Sequence, residues 1–275
     1  MIKPMLAYKV GKKDVDWSGK IFIQPKLDGV RCIFTKDGAF SRTGKQFKNV
    51  AHLEYDLTDF FRKNPNTVLD GELYNHALKD DFEKIISLVR KTKPTEDDRR
   101  DAQHLVQYHV YDTIAEGVNY EDRYNWLRLN LPIARTMTLI VNTTVDSIGE
   151  AKMLHDVHLA QGYEGSMLRT NGFYEQKRSY NLQKFKDFSD TEATITGYEE
   201  GKGKRQGTLG KFLMTDDEGI QFGCPPGKGY TYKDLENMLL NIHDYIGQRA
   251  TFTYFQRTQA GSYRHPLFKT LRNYE

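Results

Sequence analysis

The chain has 275 residues, of which 38% are hydrophobic and 28% charged, and its net charge of +3 at pH 7 is mild. This balance excludes a disordered chain and leaves room for two hydrophobic cores, so one larger and one smaller domain are expected. No segment approaches the roughly 20 apolar residues of a membrane span, and the start has no signal-peptide pattern, which predicts a cytoplasmic protein without a membrane partner.

The first two thirds of the chain alternate β-branched or aromatic runs with amphipathic stretches. The runs predict strands over 21–26, 30–35, 67–74, 106–114, 138–145, 166–170 and 182–186. Apolar residues at helical spacing predict helices over 50–61, 82–89 and 153–160. The turn Lys36-Asp37-Gly38 between two runs favours antiparallel pairing, and no Rossmann or P-loop glycine pattern follows a strand. We therefore predict an α+β domain with antiparallel sheets.

The rest of the chain has shorter predicted elements. Strands are expected over 193–198, 209–215, 220–222 and 250–255, with one helix around residues 235–242. Several short strands with one helix fit a small Greek-key barrel of the OB type, and we place the domains at 1–187 and 188–275. Cys32 and Cys224 form neither a disulfide framework nor a zinc motif, so both are expected to be reduced thiols.

The segment Gln24-Pro25-Lys26-Leu27-Asp28-Gly29 ends a predicted strand in a lysine and turns through Asp-Gly. A Lys-x-Asp-Gly match arises by chance in roughly one chain in twenty of this length, so by itself it indicates a hairpin with a surface lysine. Four further segments follow in order: Ser41-Arg42-Thr43-Gly44, Asp70-Gly71-Glu72-Leu73, Glu164-Gly165-Ser166-Met167-Leu168-Arg169 and Lys184-Phe185-Lys186.

Together these segments resemble the motifs of the covalent nucleotidyltransferases, and among them the minimal ATP-dependent DNA ligases of viruses, phages and bacteria. The similarity covers nearly the whole chain and includes Asp190-Thr191-Glu192-Ala193-Thr194-Ile195 at the start of the second domain. It implies an antiparallel-sheet nucleotidyltransferase domain followed by an OB-fold β-barrel domain. It also implies an enzyme of replication, repair or recombination, in a bacterial cytosol or an infected cell. Such an enzyme seals 3′-OH/5′-phosphate nicks in duplex DNA through lysyl-AMP and a DNA-adenylate.

By this resemblance Lys26 would attack the α-phosphate of ATP, keep AMP as a covalent adduct and expel pyrophosphate. A free lysine with a pKa near 10.4 is neutral in only about one molecule in a thousand at pH 7, so the site must favour the neutral amine. Lys184, Lys186 and a magnesium ion are the cations expected to do this and to neutralise the phosphates. Glu164 would contact magnesium, or manganese in its place, with Asp28 assisting both the metal and the catalysis.

The resemblance also assigns the nucleoside contacts. Glu72 would hydrogen-bond the ribose, Tyr111 would stack on the adenine, and Gln24 would touch the base edge. Arg272, in the last motif at 264–272, would orient pyrophosphate during the first step only. Taken singly, each carboxylate or aromatic residue is better explained as a strand-end cap or a core residue.

Four arginines are expected to meet DNA. Arg31 and Arg42 would read the 5′-phosphate of the nick through bidentate contacts, and Arg42 is assigned to the nucleotide as well. Arg169 would face the nick and Arg178 the DNA backbone. The partner is thus nicked double-stranded DNA, bound by a protein that we expect to be a monomer.

Several alternatives share the lysine motif. An RNA ligase, a GTP-dependent capping guanylyltransferase and a non-catalytic OB-fold nucleic-acid-binding protein remain open, while an NAD-dependent ligase needs a cysteine-rich zinc site that two cysteines do not supply. Ser-Arg-Thr-Gly and Glu-Gly-x-x-Leu-Arg favour DNA ligase. With 25 residues before Lys26 and a short basic loop at 201–207, neither a separate N-terminal DNA-binding domain nor a long latch is expected. Nick binding should therefore be weak and salt-sensitive.

Overall fold

A computed structural model describes residues 2–185, 189–227, 229–255, 257–258 and 260–272, apart from the side chains of Phe82 and Ser189. The chain divides into two units, Met1–Lys186 and Asp187–Glu275. In the described residues no helix is both long and apolar enough to cross a membrane.

Two five-stranded sheets build the first unit. One has the order β1 (Leu6–Lys9), β10 (Arg178–Phe185), β9 (Gly165–Thr170), β2 (Ile21–Lys26) and β8 (Thr143–Val145). The other has the order β4 (Gly38–Ser41), β3 (Val30–Thr35), β5 (Leu69–Tyr74), β6 (Gln107–Thr113) and β7 (Met137–Leu139). Pairing is antiparallel except at two edges, where β1 runs parallel to β10 and β7 runs parallel to β6.

Six α-helices accompany these sheets in the described part of the first unit: α1 (Ala51–Asp56), α2 (Thr58–Lys63), α3 (Phe82–Val89), α4 (Glu96–Leu105), α5 (Tyr120–Asn130) and α6 (Ile148–Ala160). Four of them begin at a side chain that accepts a hydrogen bond from a first-turn amide: Asp81, Thr95, Asn119 and Ser147. Such N-caps satisfy amides that have no partner within the helix.

Strand alternation assigns one face of each sheet to a hydrophobic core. In β2, Ile21 and Ile23 pack toward α6, and in β5, Leu69 and Leu73 pack toward the core that includes α1 to α4. Because successive side chains of a strand point to opposite faces, the intervening residues turn away from these cores. This second face carries the polar residues of both strands.

The second unit contains β11 (Ser189–Glu200), β12 (Leu209–Thr215), β13 (Gln221–Cys224), α7 (Tyr232–Leu240), β14 (Arg249–Tyr254) and β15 (Leu267–Leu271). Its antiparallel sheet has the order β13-β12-β11-β14-β15 around a core of buried aromatic rings such as Phe212 and Phe252. A single bridge between Pro226 and Phe268 links the segment after β13 to β15. Beyond this bridge, no ladder closes a barrel among the described residues.

Several features depart from the predicted elements, including β1, which was not predicted. The strand expected over 138–145 is divided into β7 and β8, and the helix expected over 50–61 is divided at Leu57 into α1 and α2. Two helices, α4 and α5, were not predicted. Only Ala102 of α4 is buried, so its highly charged sequence shows little apolar periodicity. The buried face of α5 includes Arg123, which sequence patterning treats as solvent-exposed.

Candidate active site

Lys26 ends β2 and lies directly opposite Gly165 of β9. Its Nζ forms an ion pair with the Glu164 carboxylate, and the two side chains are 22% and 7% exposed. The Glu164 N–H also donates a 3.0 Å hydrogen bond to the Lys26 carbonyl. Two motifs far apart in the chain therefore meet at adjacent strand ends, with the amine partly accessible.

Two glycines next to this ion pair allow the backbone to approach neighbouring strands closely. A Cβ on Gly29 would lie 2.5 Å from the Leu73 carbonyl oxygen and 2.6 Å from Cγ of Glu72, so only glycine lets the turn after Lys26 pack against β5. Gly165 has φ +146°, and a Cβ there would lie 2.5 Å from the Phe185 carbonyl oxygen. Steric requirements thus explain why the Lys-x-Asp-Gly and Glu-Gly motifs have glycine at these two positions.

One face of the first sheet gathers the predicted phosphate and base contacts. Gln24, Met167 and Lys184 form a row across β2, β9 and β10, and cross-strand neighbours share a face. Lys26 follows Gln24 by two residues and lies on the same face. The structure therefore brings Gln24, Lys26 and Lys184 together, while Lys186 lies outside the described residues.

Glu72 and Tyr111 belong to the second sheet. A register shift between β5 and β6 at Asp70/Gly71 leaves Tyr111 in a bulge, and bulges re-aim side chains. The Tyr111 hydroxyl donates a 3.4 Å hydrogen bond to Oε2 of Glu72. Burial raises the pKa of Glu72 to about 8, although Lys26 and Arg31 oppose the shift. A carboxyl group with this pKa is mostly protonated at pH 7 and both donates and accepts hydrogen bonds.

Arg31 neutralises a buried carboxylate. Its Nε and Nη2 donate to the two carboxylate oxygens of Asp70 at 2.9 Å and 2.5 Å, and its Nη1 donates to the Met5 carbonyl at 2.7 Å. The hydroxyl of Tyr174 also donates to Asp70, at 2.6 Å. In this arrangement the guanidinium is engaged within the protein, so contact with a 5′-phosphate stays a prediction.

Arg169 occupies an interior position, which does not agree with the predicted DNA contact. It is 3% exposed, and its Nε donates to Oε1 of Gln24 at 2.9 Å while Nη1 donates to Asp112 at 2.7 Å. Arg169 lies opposite Phe22 of β2, and strand alternation places both on the face shared with Gln24. Arg169 therefore contacts the predicted site through Gln24, from a buried position.

Asp112 and Arg123, which hold Arg169 in place, were not predicted as site residues. Arg123 donates to both oxygens of Asp112, at 2.7 Å and 3.1 Å, and is itself 1% exposed. Charged side chains are exposed by default, so their burial cannot be inferred from local sequence. The available signal was the position of Asp112 directly after the predicted aromatic residue Tyr111.

The remaining predicted arginines lie at the surface. Arg42 is exposed in the turn after β4, and Arg178 is exposed on β10. Arg178 donates through Nη1 to the Ala7 carbonyl and lies over the Tyr8 ring, 5.7 Å from its centroid. Arg272, in the second unit, pairs with Glu192 at 2.9 Å, and its role toward the nucleotide stays a prediction.

Within the described residues, no group of three or more His, Cys, Asp and Glu side chains is placed to hold a metal ion. Magnesium often binds through one or two carboxylates and completes its coordination with substrate phosphates and water. The Glu164 carboxylate beside Lys26 suits that mode, and Asp28 lies half-buried in the turn that follows Lys26.

Comparison with known sequences decides the family. Residues 4–186 match the family model of the ATP dependent DNA ligase domain, and residues 200–272 match that of the DNA ligase OB-like domain. The chain belongs to the ATP-dependent DNA ligase family. The predicted fold class, with a nucleotidyltransferase domain followed by an OB domain, and the predicted enzyme class, an ATP-dependent DNA ligase, are confirmed.

Individual relatives agree with this assignment. The DNA ligase of Haemophilus influenzae is 26% identical over 249 residues, which cover 89% of this chain and 83% of that protein. The DNA ligase of Enterobacteria phage T6 is 25% identical over 244 residues, or 70% of this ligase, which spans only 50% of the phage protein.

Solved structures resemble the ligase along its length. One similar structure comes from a structure-function analysis of Lig E DNA ligases, which concerns DNA binding with a minimal scaffold. It has a TM-score of 0.83 and 25% identity, and the match covers 99% of this chain and 100% of that chain. The Chlorella virus DNA ligase-adenylate has a TM-score of 0.53 and 24% identity over 100% of this chain and 99% of that chain. The second likeness concerns the fold alone.

Proposed function

We propose that Lys26 is the residue on which this ligase carries AMP, and that the enzyme then seals 3′-OH/5′-phosphate nicks in duplex DNA. The observation that carries the proposal is the Lys26–Glu164 ion pair at the end of β2. It lies on the face that also presents Gln24 and Lys184, in a chain whose family uses ATP.

The first step joins Lys26 to the nucleotide. The lone pair of Nζ forms a bond to the α-phosphorus of ATP as the bond to pyrophosphate breaks, leaving a phosphoramidate. The Glu164 carboxylate, in contact with Nζ, orients the amine and is the nearest acceptor for the proton that it loses. A magnesium ion, or manganese in its place, would supply charge neutralisation on the phosphates, held by Glu164 with help from Asp28.

The nucleoside contacts follow from the two polar faces. Tyr111 stacks on the adenine, Gln24 meets the base edge, and the protonated carboxyl of Glu72 serves a ribose hydroxyl as donor and acceptor. Lys184 and Lys186 neutralise phosphate charge, and Arg272 orients pyrophosphate. The short distance between Tyr111 and Glu72 supports a shared nucleoside site.

AMP then passes to the 5′-phosphate of the nick, and the 3′-hydroxyl displaces it to close the strand. Arg42 and Arg178 contact the DNA, and their exposure supports access by a phosphate backbone. Arg31 joins them once a phosphate competes with Asp70. These contacts predict salt-sensitive binding.

Domain and cellular setting complete the proposal. The nucleotidyltransferase domain comprises 1–187 and the OB domain 188–275, and the enzyme acts as a monomer in a cytosol. Cys32 and Cys224 are both buried and not joined in a disulfide, which supports a reducing compartment. Burial raises the pKa of the Cys224 thiol to about 12, so it stays protonated and unreactive.

The experiment measures transfer of labelled AMP from ATP to the protein, by gel and by intact mass. The native chain is expected to gain one AMP, Lys26→Ala none, and the matched surface variant Lys36→Ala one. An adduct that survives Lys26→Ala would refute the covalent lysine. Transfer from GTP in preference to ATP, or joining of single-stranded RNA in preference to nicked DNA, would refute the assigned substrates.

A further inference from the structure

The amide of Gln24 is held at one end only. Gln24 is 1% exposed, and its Oε1 accepts the 2.9 Å hydrogen bond from Nε of Arg169. Its buried Nε2 has no hydrogen-bond partner among the described residues. A buried donor without a partner is unfavourable, so it marks a place where a ligand supplies the acceptor.

Arg169 decides which end of this amide is available. The oxygen and nitrogen ends of a glutamine have nearly the same shape and exchange by a half-turn of the last torsion. A guanidinium carries donors and no acceptor, so the Gln24 atom that faces Arg169 must be the oxygen. The nitrogen is therefore left as the donor that has no partner among the described residues.

Arg169 itself is held in place by a buried chain of charges. Its Nη1 donates to Asp112, whose two oxygens are both bound by Arg123. The guanidinium of Arg169 also lies 5.4 Å from the ring centroid of Tyr111 and 4.8 Å from that of Tyr120. With 3% exposure, Arg169 has no solvent into which it can turn. The orientation of the Gln24 amide is thus set by three charged residues.

A fixed amide distinguishes the two purines. A glutamine pairs with adenine by donating to a ring nitrogen and accepting from the N6 amino group, and its carbonyl oxygen can accept this second bond beside the one from Arg169. Guanine has an oxygen where adenine has N6, which would face the Gln24 oxygen. If the amide turned by half, it would instead donate to that oxygen and accept from the guanine N1–H.

We infer that Arg169 is a positioning residue that makes the site prefer ATP to GTP, by fixing the Gln24 amide with Nε2 toward the base. The inference rests on the proposed function, in which Gln24 meets the base edge. It explains the burial of Arg169, which a DNA contact does not. A lysine would retain a donor toward Gln24, whereas an uncharged apolar side chain would release the amide.

The test measures the affinities of ATP and GTP by calorimetry in the Lys26→Ala background, where no transfer occurs. Arg169→Met is expected to reduce the ratio of ATP to GTP affinity about ten-fold, the size of a bidentate base contact. Arg169→Lys should retain most of the ratio. Arg100→Met is the matched control, because it removes a guanidinium from an exposed ion pair with Asp97 that has no contact with Gln24, and it should leave the ratio unchanged.

A double-mutant cycle separates positioning from a general structural effect. If Arg169 acts through Gln24, Arg169→Met should change the ratio little once Gln24→Met is present. An equal change in both backgrounds, or an unchanged ratio in a folded Arg169→Met protein, would overturn the inference. Absence of an AMP adduct on the native chain would instead overturn the proposed function, so the two failures are distinguishable.

A second measurement needs no variant at Arg169. Inosine triphosphate has the guanine edge at O6 and N1–H but lacks the bulky 2-amino group. With a fixed amide, the Lys26→Ala protein should bind it about as weakly as GTP, despite its size being that of ATP. Binding equal to that of ATP would mean that the amide turns to suit the base, which contradicts the inference.

Discussion

Two sets of ion-paired residues in the first unit differ in how far solvent reaches them. The Arg123–Asp112–Arg169 cluster is closed, with 1%, 0% and 3% exposure. The Lys26–Glu164 pair is more open, with 22% exposure at the lysine. We expect the closed cluster to contribute chiefly to structure and orientation, and the open pair to reaction. Charges intended for a substrate must remain reachable, whereas supporting charges need every hydrogen bond satisfied inside.

The largest effect should follow from opening the closed cluster. Asp112→Ala leaves two buried guanidinium groups without their shared carboxylate, which should lower the free energy of unfolding by about 3–5 kcal/mol. Denaturant unfolding monitored by circular dichroism measures this. Asp97→Ala, which breaks an exposed pair with Arg100, is the control and should change stability little. Near-native stability of Asp112→Ala would abolish the distinction between the two groups.

A substitution in the open Lys26–Glu164 pair should change the rate of lysine adenylation more than it changes the stability of the protein. Glu164→Gln keeps the shape but removes the carboxylate beside Lys26, and lysine adenylation should slow about a hundred-fold. Single-turnover formation of the AMP adduct measures the rate, with thermal unfolding measured in parallel. Glu121→Gln, at the surface pair with Lys20, should adenylate normally. If Glu164→Gln adenylated Lys26 at the native rate but unfolded at a lower temperature, the Lys26–Glu164 pair would have a structural role like that of the closed cluster.

A smaller effect concerns pH and the carboxyl group between the two sheets. Because the folded pKa of Glu72 is raised to about 8 from 4.5, the folded state holds a proton that the unfolded state has lost. Its contribution to stability is therefore complete below pH 4.5, falls as pH rises through the interval, and reaches its minimum above pH 8. Glu72→Gln should remove about 2 kcal/mol of this decline between pH 6 and pH 8.

Unfolding curves of both proteins at pH 6 and pH 8 test this prediction. Comparing the pH-dependent change between Glu72→Gln and the native chain cancels the contribution of other titrating groups. An identical decline in both proteins would show that Glu72 is ionised in the folded state. Glu72 would then carry a charge in the folded protein, as the more accessible Lys26–Glu164 pair does.

Much of the functional site could be predicted because its chemistry requires particular residues at short spacing. Lys26 with Gly29, Glu72 after Gly71, and Glu164 before Gly165 are local patterns, and their order along the chain indicated the family. The glycine requirement is steric and also local to each motif. Strands such as β2 and β3 were predictable for the same reason, since alternation is a property of consecutive residues.

The sequence by itself therefore determined the family, the two-part architecture and the lysine on which the proposed chemistry depends. Only the tertiary structure decided that Arg169 lies beneath Gln24, that Arg123 and Asp112 are buried, and that the pKa of Glu72 is raised. Burial and pairing arise where distant strands meet, and no local pattern contains that information. Lys26 is recognisable from its neighbours in the chain, whereas the role of Arg169 depends on neighbours in space.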